Sequence, residues 1–484
     1  MSSLKQKTFN NVSFSAITRI VAFFFQALAN IILSRTLLSG DYGLVGFANI
    51  FINFLAQFSD LGVNSAVIQR KDLDEKALYT GFTMKLGVGL GIYLLAIMGS
   101  GLAVLFFDNH AVVNVIKVLA LNFLINSFAF LPTSLLKRGL DYKKISIANI
   151  CQTIFNSSLA IILALAGFKY WSIVLANLVA TLAMVVALNI LKPVKIRFAF
   201  DKNIAREFMT FGSSLTFSLF IGFVIFNLDN FIIGAVRGSS ELGYYMIAFN
   251  WGSIICLILG SVVNNVLFPT FSRMDGDKER IKRAYLKILE YVSFIGIMAN
   301  TLLLLMSRDF LVQLLGHGSD KWLPALQSLR ILAVYGIIRL LLEPVANVFM
   351  SLGLTKIILR TTAISALLEV VLLYPALKLY GLEGVALLIT ITYVSQYAIY
   401  MPALRRILNI SYGELFTAIK QSIYPALFII IFGIVLNIYI VENAMLYFVF
   451  KVIVLGTAYL IIYGAINGWK FVKEAKEMMV GVRG

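Results

Sequence analysis

The sequence predicts an all-α polytopic membrane protein with about fourteen transmembrane helices, arranged as two parallel six-helix bundles and two C-terminal helices. Three observations lead to this fold class. The chain of 484 residues is 60% hydrophobic and only 13% charged, and apolar runs of about 20 residues, long enough to cross a bilayer, recur from end to end. Lysine and arginine concentrate in alternate loops. A helical hairpin near the start of the chain recurs in the second half, which indicates an internal repeat.

The apolar runs give the predicted spans in chain order. They are Val12–Leu33, Tyr42–Gln69, Ala77–Phe107, Ala111–Leu136, Ile145–Ala166, Trp171–Leu191, Phe208–Val236, Leu242–Phe271, Tyr285–Met306, Leu323–Met350, Ile357–Leu377, Leu382–Leu404, Phe416–Ile440 and Ala444–Ile466. Several of these runs exceed the roughly 20 residues that a crossing requires, so we expect tilted helices or helices that extend beyond the lipid.

The charge distribution predicts the orientation. Most of the 41 lysines and arginines fall in loops on the same side as the N-terminus, and such loops are cytoplasmic in membrane proteins. Both termini are therefore predicted to be cytoplasmic. This loop bias also accounts for the net charge of +17, so the charge does not indicate a nucleic-acid partner.

The repeat divides the chain. Leu33–Gly43 aligns with Ile233–Gly243, and the pairs Asn30 with Asn230 and Asn64 with Asn264 keep the same register. Two homologous bundles are typical of transporters that work by alternating access. We predict an N-terminal six-helix bundle over residues 1–200, a second bundle over 201–410, two appended helices over 411–467 and a basic cytoplasmic tail over 468–484.

No set of residues predicts catalysis or metal binding. The glycines of Gly87-Val88-Gly89-Leu90-Gly91 lie inside an apolar span, where close helix packing explains them better than a nucleotide loop does. Cys151 and Cys256 show no metal or redox spacing and are expected to be small core residues. We expect a transporter without catalytic residues or a cofactor, although a coupling ion, H⁺ or Na⁺, remains open.

An ordered set of short motifs runs along the chain near the ends of the predicted spans. The motifs are Asn11-Val12, Arg19, Gln26, Leu33-Ser34-Arg35, Asp41-Tyr42-Gly43-Leu44, Phe58-Ser59-Asp60-Leu61-Gly62, Ala66-Val67-Ile68-Gln69-Arg70, Asp229-Asn230, Leu242-Gly243-Tyr244-Tyr245 and Pro269-x-Phe271-Ser272-Arg273. This set resembles the polysaccharide exporters of the multidrug/oligosaccharidyl-lipid/polysaccharide superfamily. Within that superfamily it is most similar to the Wzx-like branch of colanic acid or teichuronic acid exporters.

The resemblance implies a fold like that of the superfamily's multidrug exporters and the function of a flippase. Such proteins move an undecaprenyl-pyrophosphate-linked oligosaccharide across the bacterial cytoplasmic (inner) membrane for exopolysaccharide, O-antigen or teichuronic-type polymers. Spans one, two, seven and eight line a central cavity in that family. The resemblance also implies contact with a polysaccharide polymerase and a chain-length regulator.

A charge near the bilayer centre costs about 3 kcal/mol on insertion scales, so charged residues within spans are candidates for function. A diphosphate and sugar hydroxyls require cations and hydrogen-bond donors. The candidates for such a cavity are Arg19, Gln26, Asn30, Lys85, Arg330 and Arg339. For Arg19 and Lys85 the alternative is that the side chain extends to the inner membrane surface. Arg19 could also pair with a neighbouring carboxylate. For Arg339 the alternative is an ion pair with Glu343, four residues further along the helix.

Four further residues are candidates for gating or ion coupling. They are Asp60, Asp229, Glu343 and Pro344. Asp60 could instead cap a broken helix or pair with basic loop residues. Pro344 is expected to kink its helix and free backbone carbonyls.

Two other functions are alternatives to the flippase. A multidrug or cation antiporter of the same superfamily would carry acidic cavity groups, whereas the predicted spans hold more basic than acidic residues. A membrane polymerase would need a large outer loop for its active site, and the largest predicted outer loop is only Arg308 to Trp322.

Overall fold

The computed structural model describes residues 18, 21–70, 74–107, 109–274, 276–439 and 444–469, without the side chains of residues 68, 69, 211–219, 221, 225, 261, 262, 265, 266, 268, 269 and 439. Within these ranges the chain is helical and contains no β-strand. The all-α class predicted from the sequence is confirmed.

The helices follow one another with short connections. In chain order they are α1 (Val21–Thr36), α2 (Ser39–Ala56), α3 (Val63–Gln69), α4 (Glu75–Gly99), α5 (Ala111–Ser127), α6 (Phe130–Arg138), α7 (Tyr142–Leu165), α8 (Trp171–Leu191), α9 (Lys202–Ser272), α10 (Lys278–Leu305), α11 (Ser307–Asp309), α12 (Leu326–Ser351), α13 (Thr355–Leu408), α14 (Tyr412–Tyr439) and α15 (Met445–Asn467).

Nine helices in the described ranges are long and apolar enough to cross a membrane, and the bent pair α5 and α6 would make a tenth. The predicted number of fourteen is not confirmed by these helices, because α9 and α13 each run through two predicted spans and because α1 and α2 are not among the helices long and apolar enough to cross. Both contain a glycine break, at Gly238 with φ 80° and at Gly381 with φ 61°. Each break lies where the sequence predicts a turn between spans, and glycine adopts positive φ without steric cost.

Aspartates start several of the helices at the ends that carry the basic loops. Asp74 accepts a hydrogen bond from the Ala77 N–H at 3.0 Å, and Asp277 accepts one from the Arg280 N–H at 3.1 Å. A side-chain oxygen at this position satisfies one of the backbone donors that have no partner in the first turn. Charged caps of this kind fix where an apolar helix begins.

The chain forms two compact units, Met1–Met246 and Ile247–Gly484. In the first unit a core joins α3, α4, α6 and the start of α9, through residues such as Val67, Phe82, Phe130 and Phe208. The predicted bundle boundary after residue 200 differs from the boundary between these units and remains a prediction.

The second unit has a core between α10, α12 and α13, with Tyr285, Leu340 and Leu404 among its buried residues. A second cluster joins α10 to the two C-terminal helices α14 and α15. Lys451 of α15 also forms an ion pair with Asp309, with 3.0 Å between Nζ and Oδ2. The helices predicted to be appended are thus packed and paired within this unit.

Candidate functional site

The turn between α1 and α2 is shorter than the sequence predicts. The predicted spans Val12–Leu33 and Tyr42–Gln69 leave Ser34 to Asp41 as a turn between them, but α1 continues to Thr36 and α2 begins at Ser39. The hydroxyls of Ser34 and Thr36 donate to the carbonyls of Ile31 and Leu33 at 2.8 and 3.1 Å. Such bonds satisfy polar side chains inside a helix. Asp41 then accepts a hydrogen bond from the Leu38 N–H at 3.1 Å and caps α2.

The start of α2 lies against the matching part of α9, immediately after the Gly238 break. A Cβ atom added to Gly43 would lie 1.7 Å from the Ser239 carbonyl oxygen, and one added to Gly243 would lie 1.9 Å from the Ser39 carbonyl oxygen. Real Cβ atoms do not approach this closely, so the two backbones meet where only glycine fits. We call the contact between residues 39–43 and 239–243 the hairpin contact.

The hairpin contact joins the two copies of the sequence repeat. Ser39 with Ser239 and Gly43 with Gly243 are equivalent positions in the repeat, and each serine carbonyl faces the glycine of the other copy. The contact is therefore reciprocal. One turn further along, Gly46 continues it, because a Cβ atom there would lie 2.1 Å from the Met246 sulfur.

The three predicted cavity residues of the first span are only partly described. Arg19 lies outside the described residues. Gln26 and Asn30 are exposed on α1, and their spacing of four residues places them on one face of the helix. Their predicted role in substrate binding remains a prediction.

Lys85 and Asp60 lie together, although the sequence indicated no contact between them. The gap between α2 and α3 contains Asp60 and Gly62, and Gly62 has φ 70°. Lys85 Nζ of α4 reaches into this gap, 3.1 Å from Asp60 Oδ1 and 2.7 Å from the Ser59 carbonyl oxygen. Asn64 donates a further hydrogen bond to Asp60. Lys85 therefore balances both the carboxylate and the carbonyl end of α2.

Asp229 is a buried carboxylate, 8% exposed, in the first unit. It accepts hydrogen bonds from the Tyr245 hydroxyl at 2.8 Å and from Asn230 Nδ2 at 3.2 Å. Within the described part of the chain no lysine or arginine nitrogen lies within 4 Å of it. A buried carboxylate that has hydrogen bonds but no counter-charge is suited to bind a proton or a cation.

Arg339 of α12 is held between two tyrosines. It donates to the Tyr335 hydroxyl at 2.8 Å, and its guanidinium carbon lies 5.8 and 5.9 Å from the ring centroids of Tyr335 and Tyr393. Rings at this distance stabilise a cation. The alternative of an ion pair with Glu343 is wrong, because among the described residues no carboxylate oxygen lies within 4 Å of Arg339.

Arg330 lies elsewhere on the same helix. It donates from Nε to the Ser307 hydroxyl at 3.0 Å and likewise has no carboxylate within 4 Å in the described ranges. About two and a half helical turns separate it from Arg339, which places the two side chains on opposite faces of α12. One substrate-binding surface of this helix therefore cannot use both arginines.

Glu343 belongs to an amide cluster instead. Its Oε2 accepts a hydrogen bond from Asn264 Nδ2 at 2.9 Å, and Asn347 Nδ2 donates to the Glu343 carbonyl at 2.8 Å. The Oδ1 atom of Asn347 is buried and, in the described part of the chain, accepts no hydrogen bond. Pro344 is buried within α12, and the helix continues through it to Ser351.

Sequence reasoning missed the tyrosines and asparagines that hold these charged groups. Tyr335 and Asn347 were within reach of it, because they lie four residues from Arg339 and Glu343 on the same helix. Tyr245 and Tyr393 come from elsewhere in the chain, and only helix packing brings them to Asp229 and Arg339.

The described residues contain no group of three or more His, Cys, Asp or Glu side chains that could hold a metal ion. The described helices hold arginines without a carboxylate within 4 Å, carboxylates with neutral hydrogen-bond donors, and the Lys85–Asp60 ion pair. Such groups can bind and release a polar ligand that crosses a membrane.

Comparison with known proteins identifies relatives over most of the chain. The family model for polysaccharide biosynthesis proteins matches residues 32–327. The chain is similar to the lipopolysaccharide biosynthesis protein WzxC of Escherichia coli (strain K12), with 21% identity over 88% of this chain and 86% of that protein. It is also similar to the teichuronic acid biosynthesis protein TuaB of Bacillus subtilis (strain 168), with 24% identity over 78% of each.

Solved structures show the same fold. The chain is similar to the lipid II flippase MurJ in an inward closed conformation, with a TM-score of 0.77 and 15% identity over 95% of this chain and 100% of that one. It is also similar to an inward-facing multidrug resistance MATE family transporter of the MOP superfamily, with a TM-score of 0.61 and 17% identity over 82% and 99% of the two chains. The expected likeness of the fold to that superfamily's transporters is confirmed. Since the family model covers more than half of the sequence, this chain belongs to the family of polysaccharide biosynthesis proteins.

Proposed function

We propose that this protein is a flippase that moves an undecaprenyl-pyrophosphate-linked oligosaccharide across the bacterial inner membrane. The observation that carries the proposal is the family match over residues 32–327. Relatives that match most of the chain are named for the synthesis of lipopolysaccharide and teichuronic acid, and another is a succinoglycan biosynthesis transport protein. The polymer served is thus an exopolysaccharide, an O-antigen or a teichuronic-type glycan.

The proposed topology has fourteen spans with both termini in the cytoplasm. The glycine breaks at Gly238 and Gly381 support it, because each divides a long helix at a predicted outer turn. The positive-inside bias then places the hairpin contact at the outer surface. In this orientation the hairpin contact closes the outer side of the substrate path, and its separation opens the path to the outside.

Arg339 is the best-supported contact for the substrate's diphosphate. It is a guanidinium in an apolar helix with tyrosines rather than a carboxylate around it. Arginine binds phosphate oxygens through paired N–H donors. Gln26 and Asn30, exposed on one face of α1, are proposed to bind sugar hydroxyls.

The coupling ion, if H⁺ or Na⁺ drives transport, is proposed to bind at Asp229 or Glu343. Both carboxylates are held by neutral donors, Tyr245 and Asn264. A polysaccharide polymerase and a chain-length regulator are proposed partners that would consume the flipped product.

A reconstituted flipping assay tests the proposal. Liposomes containing the full-length protein receive a fluorescent polyprenyl-diphosphate oligosaccharide in one leaflet, and its arrival in the other leaflet is measured with an impermeant quencher. We expect transfer that exceeds the rate in protein-free liposomes. Transport of cationic dyes without transfer of the lipid-linked sugar would contradict the proposal and favour a multidrug antiporter.

A further inference from the structure

A cavity of about 660 Å³ with several polar residues on its wall lies between α10, α14 and α15. The polar residues on its wall include Lys287, Glu290, Tyr291, Thr417, Gln421 and Asn467. The cavity adjoins the start of α14 and the last residue of α15, and the proposed topology places these ends at the cytoplasmic surface. It is formed within the second unit and does not include any residue proposed for the substrate path.

A carboxylate on the cavity wall has no counter-charge. Glu290 Oε1 accepts a hydrogen bond from Asn467 Nδ2 at 3.2 Å, but no lysine or arginine nitrogen of the described ranges lies within 4 Å of this carboxylate. The side chain of Glu290 is only half-buried. A carboxylate in this condition attracts a ligand that carries a positive charge and several N–H donors.

The rim has the opposite character. Lys287 is exposed there, with its Nζ 5.8 Å from the ring centroid of Tyr291, and Thr417 is also exposed. The acidic residue on that side, Glu414, is paired with Lys282, with 2.8 Å between Oε1 and Nζ, and accepts a hydrogen bond from the Ser411 hydroxyl at 3.1 Å. A cation with the Thr417 hydroxyl on the same rim suits a phosphate group.

We propose that this cavity binds the headgroup of an ethanolamine phospholipid of the inner leaflet. The ammonium group lies on the Glu290 carboxylate inside the cavity, and the phosphodiester lies beside Lys287 at the rim. A primary ammonium has three N–H donors that can bind this carboxylate. A choline headgroup has the same charges but no N–H donor, and a glycerol headgroup has no positive charge, so the cavity distinguishes the three lipids.

The test is a lipid titration of the purified full-length protein in detergent, read by native mass spectrometry. The probes are phosphatidylethanolamine, phosphatidylcholine and phosphatidylglycerol with identical acyl chains. We expect phosphatidylethanolamine to bind about tenfold more tightly than either other lipid, which is the effect of one charge-assisted hydrogen bond. Equal binding of the three lipids would overturn the proposal.

Two variants locate the binding. Glu290→Gln keeps the shape and the bond to Asn467 but removes the charge, so the preference for ethanolamine should disappear. Glu279→Gln is the matched control, because Glu279 is exposed in the first turn of the same helix, and it should bind like the wild type. Thr417→Phe fills the opening from an exposed position and should also abolish the preference.

A preference that survives in both Glu290→Gln and Thr417→Phe would contradict the assignment. Thermal unfolding of each variant in detergent shows whether it is folded, and Thr417→Phe keeps the test decisive if Glu290→Gln is unstable. Since the readout uses no oligosaccharide, failure of lipid binding leaves the proposed flippase untouched, and failure of flipping leaves this proposal standing.

Discussion

Arg339 illustrates how a single charge is kept in an apolar helix without a counter-charge. The hydroxyl of Tyr335 accepts one of its N–H groups, and the rings of Tyr335 and Tyr393 face the guanidinium. This arrangement leaves the other N–H donors of the fork for an anionic ligand, which an ion pair with Glu343 would have occupied.

We expect Arg339→Gln to slow flipping of the diphosphate-linked oligosaccharide at least about tenfold, the effect of losing one charge-assisted hydrogen bond. The control is Arg308→Gln, which removes the same charge from an exposed position outside the long helices. Initial rates in the liposome assay give the comparison. Wild-type rates in Arg339→Gln would remove this residue from the substrate path.

The Lys85–Asp60 pair predicts coupling between two substitutions. Lys85 is 12% exposed in its side chain and Asp60 36%, so the pair is only partly screened by water. Lys85→Met and Asp60→Asn should each lower the free energy of unfolding. The loss in the double variant should be smaller than the sum of the two single losses, by about 1 kcal/mol. Thermal unfolding of the four proteins in detergent measures this. Strict additivity would show that the contact contributes nothing.

At the scale of elements, the hairpin contact depends on glycine at two repeat-related positions. Gly243→Ala places a methyl group 1.9 Å from the Ser39 carbonyl oxygen, and a steric change of this kind costs about 1–3 kcal/mol. We expect a lower unfolding temperature and slower flipping. The control is Gly91→Ala, because nothing lies within 4 Å of a Cβ atom there. Equal unfolding temperatures and equal flipping rates for Gly243→Ala and Gly91→Ala would contradict a tight backbone contact at Gly243.

The start of α9 is fixed to α4 by Asp201, which gives a pH dependence. Hydrogen bonds from Lys76, the closest at 2.6 Å, and from the Ile204 and Asn203 N–H groups hold the pKa of Asp201 below its usual range. A carboxylate of lowered pKa stabilises the folded state above the unfolded pKa of about 3.9 and loses this effect as the pH falls through the folded value.

Asp201→Asn should therefore lower the unfolding temperature at neutral pH, and the difference from the wild type should shrink as the pH falls below about 4. Thermal unfolding in detergent across this range measures the effect. A difference that stays constant with pH would assign the loss to packing rather than to the charge.

The elements also show what the sequence could predict. Glycine breaks at Gly238 and Gly381 were predictable as turns, because apolar runs stop there and restart. The turn after α1 was predicted too long, because Ser34 and Thr36 satisfy their hydroxyls within the helix. Lys85 and Asp60 were identified singly, but their contact depends on how α4 packs beside the α2–α3 gap, which periodicity does not specify.

At the scale of the whole molecule, the repeat has a structural counterpart. Equivalent residues of the two hairpins meet each other directly, serine carbonyl to glycine, on both sides of the contact. Two repeat copies that contact each other through equivalent residues can separate and come together again at that contact while each copy keeps its own structure. In our account this separation is the outer gate of the flippase.

A disulfide across the hairpin contact tests this gate most directly. A Cβ atom at Gly40 would lie 3.6 Å from the Ser240 hydroxyl oxygen, so side chains at positions 40 and 240 are close enough to be tested as a disulfide, whose Cβ atoms lie about 3.5–4.5 Å apart. The measurement is flipping by Gly40→Cys/Ser240→Cys in a background where Cys151 and Cys256 are replaced by alanine. The account predicts that oxidation stops flipping, that reduction restores it, and that each single cysteine variant is insensitive to oxidant. Undiminished flipping by fully cross-linked protein would contradict it.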